Sequence, residues 1–404
     1  VKILFVADVS INKVIGGAER VLFEQTTRLA KRGHQVHVLT RRVNSHKSES
    51  ETIQSVSEWR YGVREKNPLS FLRSSLFNSK ALFEFLQDKF SFDIINFHQP
   101  FSSLGVLLSR KSRPIKKLYT CHSLSFEEYV SRNPKPSDPF HNLYYRINII
   151  SRKMIEKNIL KKNDGIMTLS RFTQNKLLNF HNISPEKNVI IPGGVDLVRF
   201  RPSEDQSLLR QELGIPPEKF ILLTVRNLVK RMGLDNLLFA FKEIVNKAPG
   251  TYLVIGGEGP MKESLQSLVQ ELQLNDHIKF ADYIDDEKLP LYYQAADLFI
   301  LPTLELEGFG LVTLEAMASG LPVLGTPVGG TEEILSAFNR NLLFKNREPS
   351  SIADLIIETY WKFKDNPDLK KELSGQGRSF IEKNYSWDHN INILEKLFQE
   401  TLKK

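Results

Sequence analysis

At 404 residues and 41% hydrophobic content, the chain has room for two domains with sizeable cores. No stretch approaches the roughly 18 uninterrupted apolar residues of a membrane-spanning helix. The net charge of +8 is uneven: residues 1–200 hold 32 Lys+Arg against 17 Asp+Glu, a net of +15, which leaves the rest at −7.

The first predicted strand, 2–7, starts almost at the first residue. The run Lys2-Ile3-Leu4-Phe5-Val6 lacks the layered layout of a secretory signal. The lone Cys121 has no partner for an internal disulfide, so a reducing cytoplasm is expected. Gly16-Gly17 then opens an amphipathic stretch, 18–31. Glycine there lets backbone N–H groups approach a phosphate, or serves as an ordinary strand-to-helix turn. It is not the GxGxxG pattern of dinucleotide sites.

Further strands are predicted at 35–40, 93–97, 116–121, 164–169 and 188–191. Segments 41–70 and 124–142, the latter with Pro134, Pro136 and Pro139, read as long loops. His98 ends one strand-like run and His122 another, so each should sit at a strand C-terminus. There a histidine can hydrogen-bond a sugar hydroxyl or move a proton, or be a satisfied loop residue. The basic stretches 110–117 and 146–162 are interleaved with apolar residues, and 70–90 carries Phe and Leu beside Arg and Lys. This favours an anionic lipid surface, or a merely solvated basic face. No recognition module or zinc spacing supports nucleic acid.

After Pro192–Pro202 the strand–helix alternation restarts, with strands at 220–225, 251–256, 277–281, 297–301 and 321–325 and helical patterns at 234–247, 260–273 and 349–365. Alternation with continuous apolar strands means parallel sheets covered on both faces, α/β in class. Two such sheets would present ligand loops at a cleft between domains. Arg226, Lys230 and Arg231 follow a strand and suit a diphosphate, or form a solvated basic loop. Gly256-Gly257-Glu258-Gly259-Pro260 admits a ligand to the backbone or makes a tight connection. Gly329-Gly330 is a turn of the same kind.

The segment 301–330 is the sharpest. Glu307 lies in a glycine-containing loop, Gly308-Phe309-Gly310 precedes a helix start, and Glu315 lies within an almost wholly apolar helix. A buried carboxylate is costly unless something polar meets it. Two carboxylates could act as acid and base on a glycosidic bond, or bind sugar and ribose hydroxyls; the second reading is preferred. The competing account of Glu315 is a buried ion pair with an arginine.

Six blocks now stand in order: GGAERVLFEQTTRLAKRGHQVHVLT (16–40), DIINFHQP (93–100), TCHS (120–123), IPGGVDLVRF (191–200), GGEGP (256–260) and ELEGFGLVTLEAMASGLPV (305–323). Together they resemble family 4 of the nucleotide-sugar glycosyltransferases, a retaining family with the GT-B fold of two facing Rossmann-like domains. The resemblance implies an acceptor domain over 1–192, a donor domain over 193–378 and a closing helix over 379–404 that returns to the first domain. It implies that Gly16 and Gly17 approach the donor phosphates and that His122 lies beside the donor sugar, with His98 on the acceptor side. Glu307 would hold sugar hydroxyls near the backbone of Gly308, Phe309, Gly310 and Leu311, and Glu315 the ribose. Lys230, Gly257, Glu258 and Tyr283 complete the implied donor set. Arg226 and Arg231 would neutralise the diphosphate, so no metal or other cofactor is required.

The basic loop departs from the family's Arg-Leu…Lys-Gly pattern. Anchoring on Leu228 and Gly233 puts Asn227 and Met232 at the cationic positions, whereas anchoring on spacing puts Arg226 and Arg231 there; the arginines are preferred, because a diphosphate needs compensating charge in either register. Gly193 replaces a usual Asn, and Ala281-Asp282 replaces a frequent Leu-Gly. The expected activity is transfer of a sugar from a UDP- or GDP-type donor to an acceptor hydroxyl of a lipid-linked or polysaccharide precursor. A GT-B epimerase and a non-catalytic sugar-nucleotide-binding relative are the alternatives. The expected location is the cytoplasm, with peripheral contact at the inner face of an anionic membrane.

Overall fold

The computed structural model describes residues 1–12, 16–43, 46, 48–203 and 205–403. The chain divides into two compact units, Val1–Pro192 with Trp387–Lys404, and Gly193–Ser386. The expected break at 378/379 instead falls inside a continuous helix, Pro367–Asn384.

The first unit is built on an eight-stranded sheet. Its strands are β1 (Lys2–Val6), β2 (Gln35–Arg41), β3 (Ser50–Ile53), β4 (Val56–Tyr61), β5 (Ile94–Phe97), β6 (Lys116–Cys121), β7 (Gly165–Thr168) and β8 (Asn188–Ile190). Their order is β3-β4-β2-β1-β5-β6-β7-β8, parallel except for the β3–β4 pair. The helices are α1 (Gly17–Lys31), α2 (Pro68–Phe90), α3 (Pro100–Leu107), α4 (Ser125–Arg132), α5 (Pro139–Lys161) and α6 (Arg171–His181). Alternate residues of β1 enter two different cores: Leu4 and Val6 join Phe97 and Tyr119, while Ile3 and Phe5 join Leu22 and Val38. That division is what continuous apolar strands between two helical layers produce.

The second unit holds β9 (Phe220–Val225), β10 (Thr251–Gly256), β11 (Ile278–Asp282), β12 (Leu298–Leu301) and β13 (Val323–Gly325). All pairs are parallel, in the order β11-β10-β9-β12-β13. Its helices are α7 (Gln206–Glu212), α8 (Leu234–Lys247), α9 (Lys262–Glu271), α10 (Leu289–Ala295), α11 (Leu311–Ala318), α12 (Gly329–Phe338), α13 (Pro349–Asp365) and α14 (Pro367–Asn384). The last helix, α15 (Trp387–Lys403), belongs to the first unit. There Ile391, Leu394 and Phe398 are buried in the core that holds Ile3 and Phe5. Burying these three side chains is worth on the order of 5 kcal/mol. Glu395 of α15 also pairs with Arg32 (2.5 Å) and His34 (3.0 Å).

Two expected loops are corrected. Segment 41–70, of which residues 44, 45 and 47 lie outside the described residues, contains the hairpin β3–β4, with β4 parallel to β2. The hydrophobic alternation of β4 is hidden because two of its buried residues are charged. Glu58 and Arg60 pair there at 2.6 Å, and Glu58 also accepts from Ser10 Oγ and Ile11 N. Segment 124–142 contains α4 and the start of α5. Its prolines mark the interval between them, with Pro139 in the first turn of α5 and Asp138 capping it through His141 N at 2.8 Å.

Candidate functional site

In an open parallel sheet, ligand loops gather beyond the strand C-termini where the order of connections reverses. In the first unit that point is β1, flanked by β2 and β5; in the second it is β9, flanked by β10 and β12. The candidate residues follow these strands.

In the second unit, Arg226 lies immediately after β9 and is buried. Its guanidinium pairs with Glu307, donates to Thr303 Oγ1 (3.1 Å), and rests on Met232 Sδ at 2.8 and 3.3 Å. A buried carboxylate needs such a partner, since two matched charges cost far less to desolvate than one alone. Glu307 is thereby held by Arg226 and Thr303, and the cation the sequence aimed at a diphosphate is engaged with a carboxylate instead. Lys230 pairs with Asp235 on the surface, and Arg231 donates to Leu306 O at 3.1 Å. Leu304 N returns a bond to Arg231 O at 2.8 Å, so the loops after β9 and β12 are laced together.

Backbone sterics fix the glycine of the basic loop. Gly233 has φ +68°, and a Cβ there would lie 2.0 Å from Pro302 O. Only glycine meets both demands. Leu228 is fully buried, so both pattern anchors are structural. In the register anchored on these two residues, the pattern positions are Asn227, which is exposed, and Met232, which is buried under the Arg226 guanidinium. The GGEGP turn also has a structural explanation. A Cβ on Gly257 (φ +129°) would sit 1.9 Å from Arg226 O, and Leu228 N donates to Glu258 O at 2.8 Å. The neighbouring loop presses on this glycine.

Helix α11 starts at Leu311 after Gly310, with no side chain capping it. Its first N–H groups remain the natural place for an anion or a polar oxygen. Gly193, where the family often has Asn, faces Phe309: a Cβ would lie 2.7 Å from the ring. Glu315 is buried on α11 and accepts from Tyr293 Oη at 3.0 Å. Burial first, and the Glu315 charge second, hold the Tyr293 phenol well above its usual range, so it stays a donor. Arg226, the nearest cation of the β9 loop, pairs with Glu307. Tyr283 follows β11 and is partly exposed.

In the first unit, β5 and β6 bring His98 and His122 together, with His98 Nδ1 and His122 Nε2 3.0 Å apart. One ring must donate to the other, so at least one is neutral. Burial pushes His122 down to about 4 and, with His122 beside it, holds His98 well below the usual range. Both are neutral near pH 7, suited to hydrogen bonding rather than to taking a proton. Gly16 caps α1 without a side-chain bond. Glu19, in the first turn, is raised by burial and accepts from Gly16 N.

Tyr293, Thr303, Asp8 and Glu19 were not singled out from sequence. Asp8 accepts from Ser102 N (3.0 Å) at the start of α3, and burial raises its carboxyl. Its place directly after β1 was the available signal. Tyr293 had none, lying 22 residues before its partner. Among the described residues, no three His, Cys, Asp or Glu are grouped to hold a metal ion.

Comparison with known proteins matches the same segments. Residues 15–199 match Glycosyltransferase Family 4, and residues 205–379 match Glycosyl transferases group 1. The mannosylfructose-phosphate synthase of Agrobacterium fabrum is 28% identical over 391 residues, covering 92% of this chain and 84% of its own. The alpha-monoglucosyldiacylglycerol synthase of Acholeplasma laidlawii is 25% identical over 397 residues, covering 92% and 90%. A solved sucrose-phosphate synthase from Thermosynechococcus elongatus superposes with a TM-score of 0.82 at 23% identity, covering 99% of this chain and 98% of that one. The chain is therefore a nucleotide-sugar glycosyltransferase of family 4, with the GT-B fold.

Proposed function

We propose that this glycosyltransferase moves a hexose from a UDP- or GDP-type donor to a hydroxyl of a lipid-linked or polysaccharide-precursor acceptor, with retention at the anomeric carbon. The observation that carries the reading is the pair of buried carboxylates around one helix start. Glu307 is fixed by Arg226 before α11, and Glu315 is fixed by Tyr293 on it.

In this reading Glu315 accepts from the ribose hydroxyls and Glu307 from hydroxyls of the transferred sugar. The N–H groups of Gly310 and Leu311, with Arg231 and Lys230, stabilise the departing diphosphate. Arg226 acts by holding Glu307 in place. Gly16 and Gly17 approach the donor phosphates, and His122 donates to the sugar as a neutral imidazole, with His98 orienting it from the acceptor side. The bond from the anomeric carbon to the phosphate oxygen breaks as the acceptor oxygen bonds to the same face. The acceptor proton passes to the departing phosphate oxygen. Tyr283, Gly257 and Glu258 border the nucleotide. Both family descriptions name transferases, which favours transfer over epimerisation.

The cationic first half supports work at an anionic membrane surface on the cytoplasmic side. No described helix is long and apolar enough to cross a membrane. The test is turnover across a panel of UDP- and GDP-sugars, with stereochemistry read at the anomeric proton. One donor should be consumed, to an α-linked product from an α-linked donor. Consumption of none, or conversion of one nucleotide sugar into another without an acceptor, would contradict the reading.

A further inference from the structure

Apart from Ile149 and Ile155, which are partly buried against the core, the apolar residues of α5 divide into two sets. Tyr145, Ile159 and Leu160 are buried. Phe140, Leu143, Tyr144, Ile147, Ile150 and Met154 are 48–77% exposed. The spacing of this second set keeps it on one side of the helix. From 140 to 154 it runs about 21 Å along the axis. A continuous exposed apolar stripe of this length is uncommon on a soluble surface and marks a contact.

The charges beside it are of one sign. Helix α5 carries Arg146, Arg152, Lys153, Lys157 and Lys161 against a single acid, Glu156. Glu156 is buried and bound to His181 Nε2 at 2.8 Å. Arg152 and Lys153 lie over the rings of Tyr129 (4.8 Å) and Phe126 (4.2 Å). Arg146, Lys157 and Lys161 make no ion pair among the described residues and are exposed. Arg146 and Lys157 flank one edge of the stripe, and Lys161 lies at its end.

We infer that this face of α5 is a docking surface for an anionic lipid bilayer: the stripe enters the headgroup–acyl boundary, and Arg146, Lys157 and Lys161 meet lipid phosphates. An interfacial helix needs this combination, an apolar face bordered by cations whose stems can lie along it. A second copy of the chain is a poorer occupant. A symmetric pairing of two such faces brings cations together with no exposed carboxylate on α5 to meet them. The inference deepens the proposed lipid-linked acceptor and rests on it for its purpose, but it can fail separately.

The test is vesicle flotation of the full chain, with calorimetric titration of UDP and GDP run alongside. Wild type should float with phosphatidylcholine vesicles containing about a third phosphatidylglycerol, less so in high salt, and hardly with phosphatidylcholine alone. Ile147→Asp with Met154→Asp should weaken partition roughly tenfold or more. Arg146→Glu with Lys157→Glu should do the same and flatten the salt dependence. Val198→Asp, at a still more exposed apolar position in the other unit, should change nothing. Nucleotide binding and thermal midpoint should be unchanged in all these variants. Wild type that fails to float, or a stripe variant that floats like wild type, overturns the inference. So does a wild-type dimer in solution that the stripe substitutions split. A wild type that floats but binds neither nucleotide would instead contradict the proposed transfer reaction.

Discussion

The two units place polar groups at equivalent points of their sheets yet use opposite electrostatics. Beyond β9 and β12, Arg226 and Glu307 form a buried pair of full charges. Beyond β5 and β6, His98 and His122 form a pair held neutral by burial. A charged pair is fixed in place but fails badly when one member is lost, because the survivor is left buried and unpaired. A neutral pair is cheap to bury and can donate, but acid attacks it. In the proposed reaction the charged pair holds the substrate and the neutral pair touches it without competing for its proton.

The largest expected effect breaks the charged pair. Arg226→Ala should cost about 3–5 kcal/mol of stability by leaving Glu307 alone, and lower transfer roughly a hundredfold or more. Arg226→Met combined with Glu307→Leu should recover most of the stability but none of the transfer. Denaturant titration and initial rates check both. Equal stability losses in the single and double variants would mean that the pair is not coupled.

Next comes the glycine that anchors the basic loop. Gly233→Ala must adopt φ near +68° with its Cβ against Pro302 O. The cost is at least about 2 kcal/mol, a fall of roughly 5 °C in the melting midpoint. Met232→Leu, which changes neither charge nor backbone, should leave the midpoint close to wild type. A Gly233→Ala protein with a wild-type midpoint would remove the steric argument for this glycine.

The neutral pair makes a prediction with pH. A histidine whose native pKa is depressed stays unprotonated while the unfolded chain takes up a proton. Its contribution is therefore complete above the unfolded value of 6.5 and declines as pH falls toward about 4. For His122 this should remove on the order of 3 kcal/mol across that window. His122→Gln should flatten the pH dependence of stability and mainly lower kcat, with little change in KM. A decline of activity with a midpoint near neutrality would show a titrating histidine and contradict the neutral pair.

The contrast also shows what could be read in the sequence. All eleven predicted strands are present, because each is a short apolar run closed by glycine, proline or a polar turn. The hairpin β3–β4 escaped because Glu58 and Arg60 occupy buried places where apolar residues were sought. Glu307 and Glu315 were legible as charges in apolar surroundings. Their partners were not: Arg226 is 81 residues from Glu307, and Tyr293 is 22 from Glu315. Charge alone pointed Arg226 at a ligand, while the geometry joins it to a carboxylate. The close approach of the Arg226 backbone to Gly257 in GGEGP was likewise invisible in the sequence, since 31 residues separate the two.

The central claim is that the carboxylate on α11 grips the ribose of a nucleotide donor, and calorimetric titration of UDP and GDP into wild type and Glu315→Ala tests it most directly. The account predicts that the nucleotide wild type prefers binds at least about tenfold more weakly to the variant, close to 1.4 kcal/mol, with its thermal midpoint little changed. Equal affinity in the two proteins would contradict it.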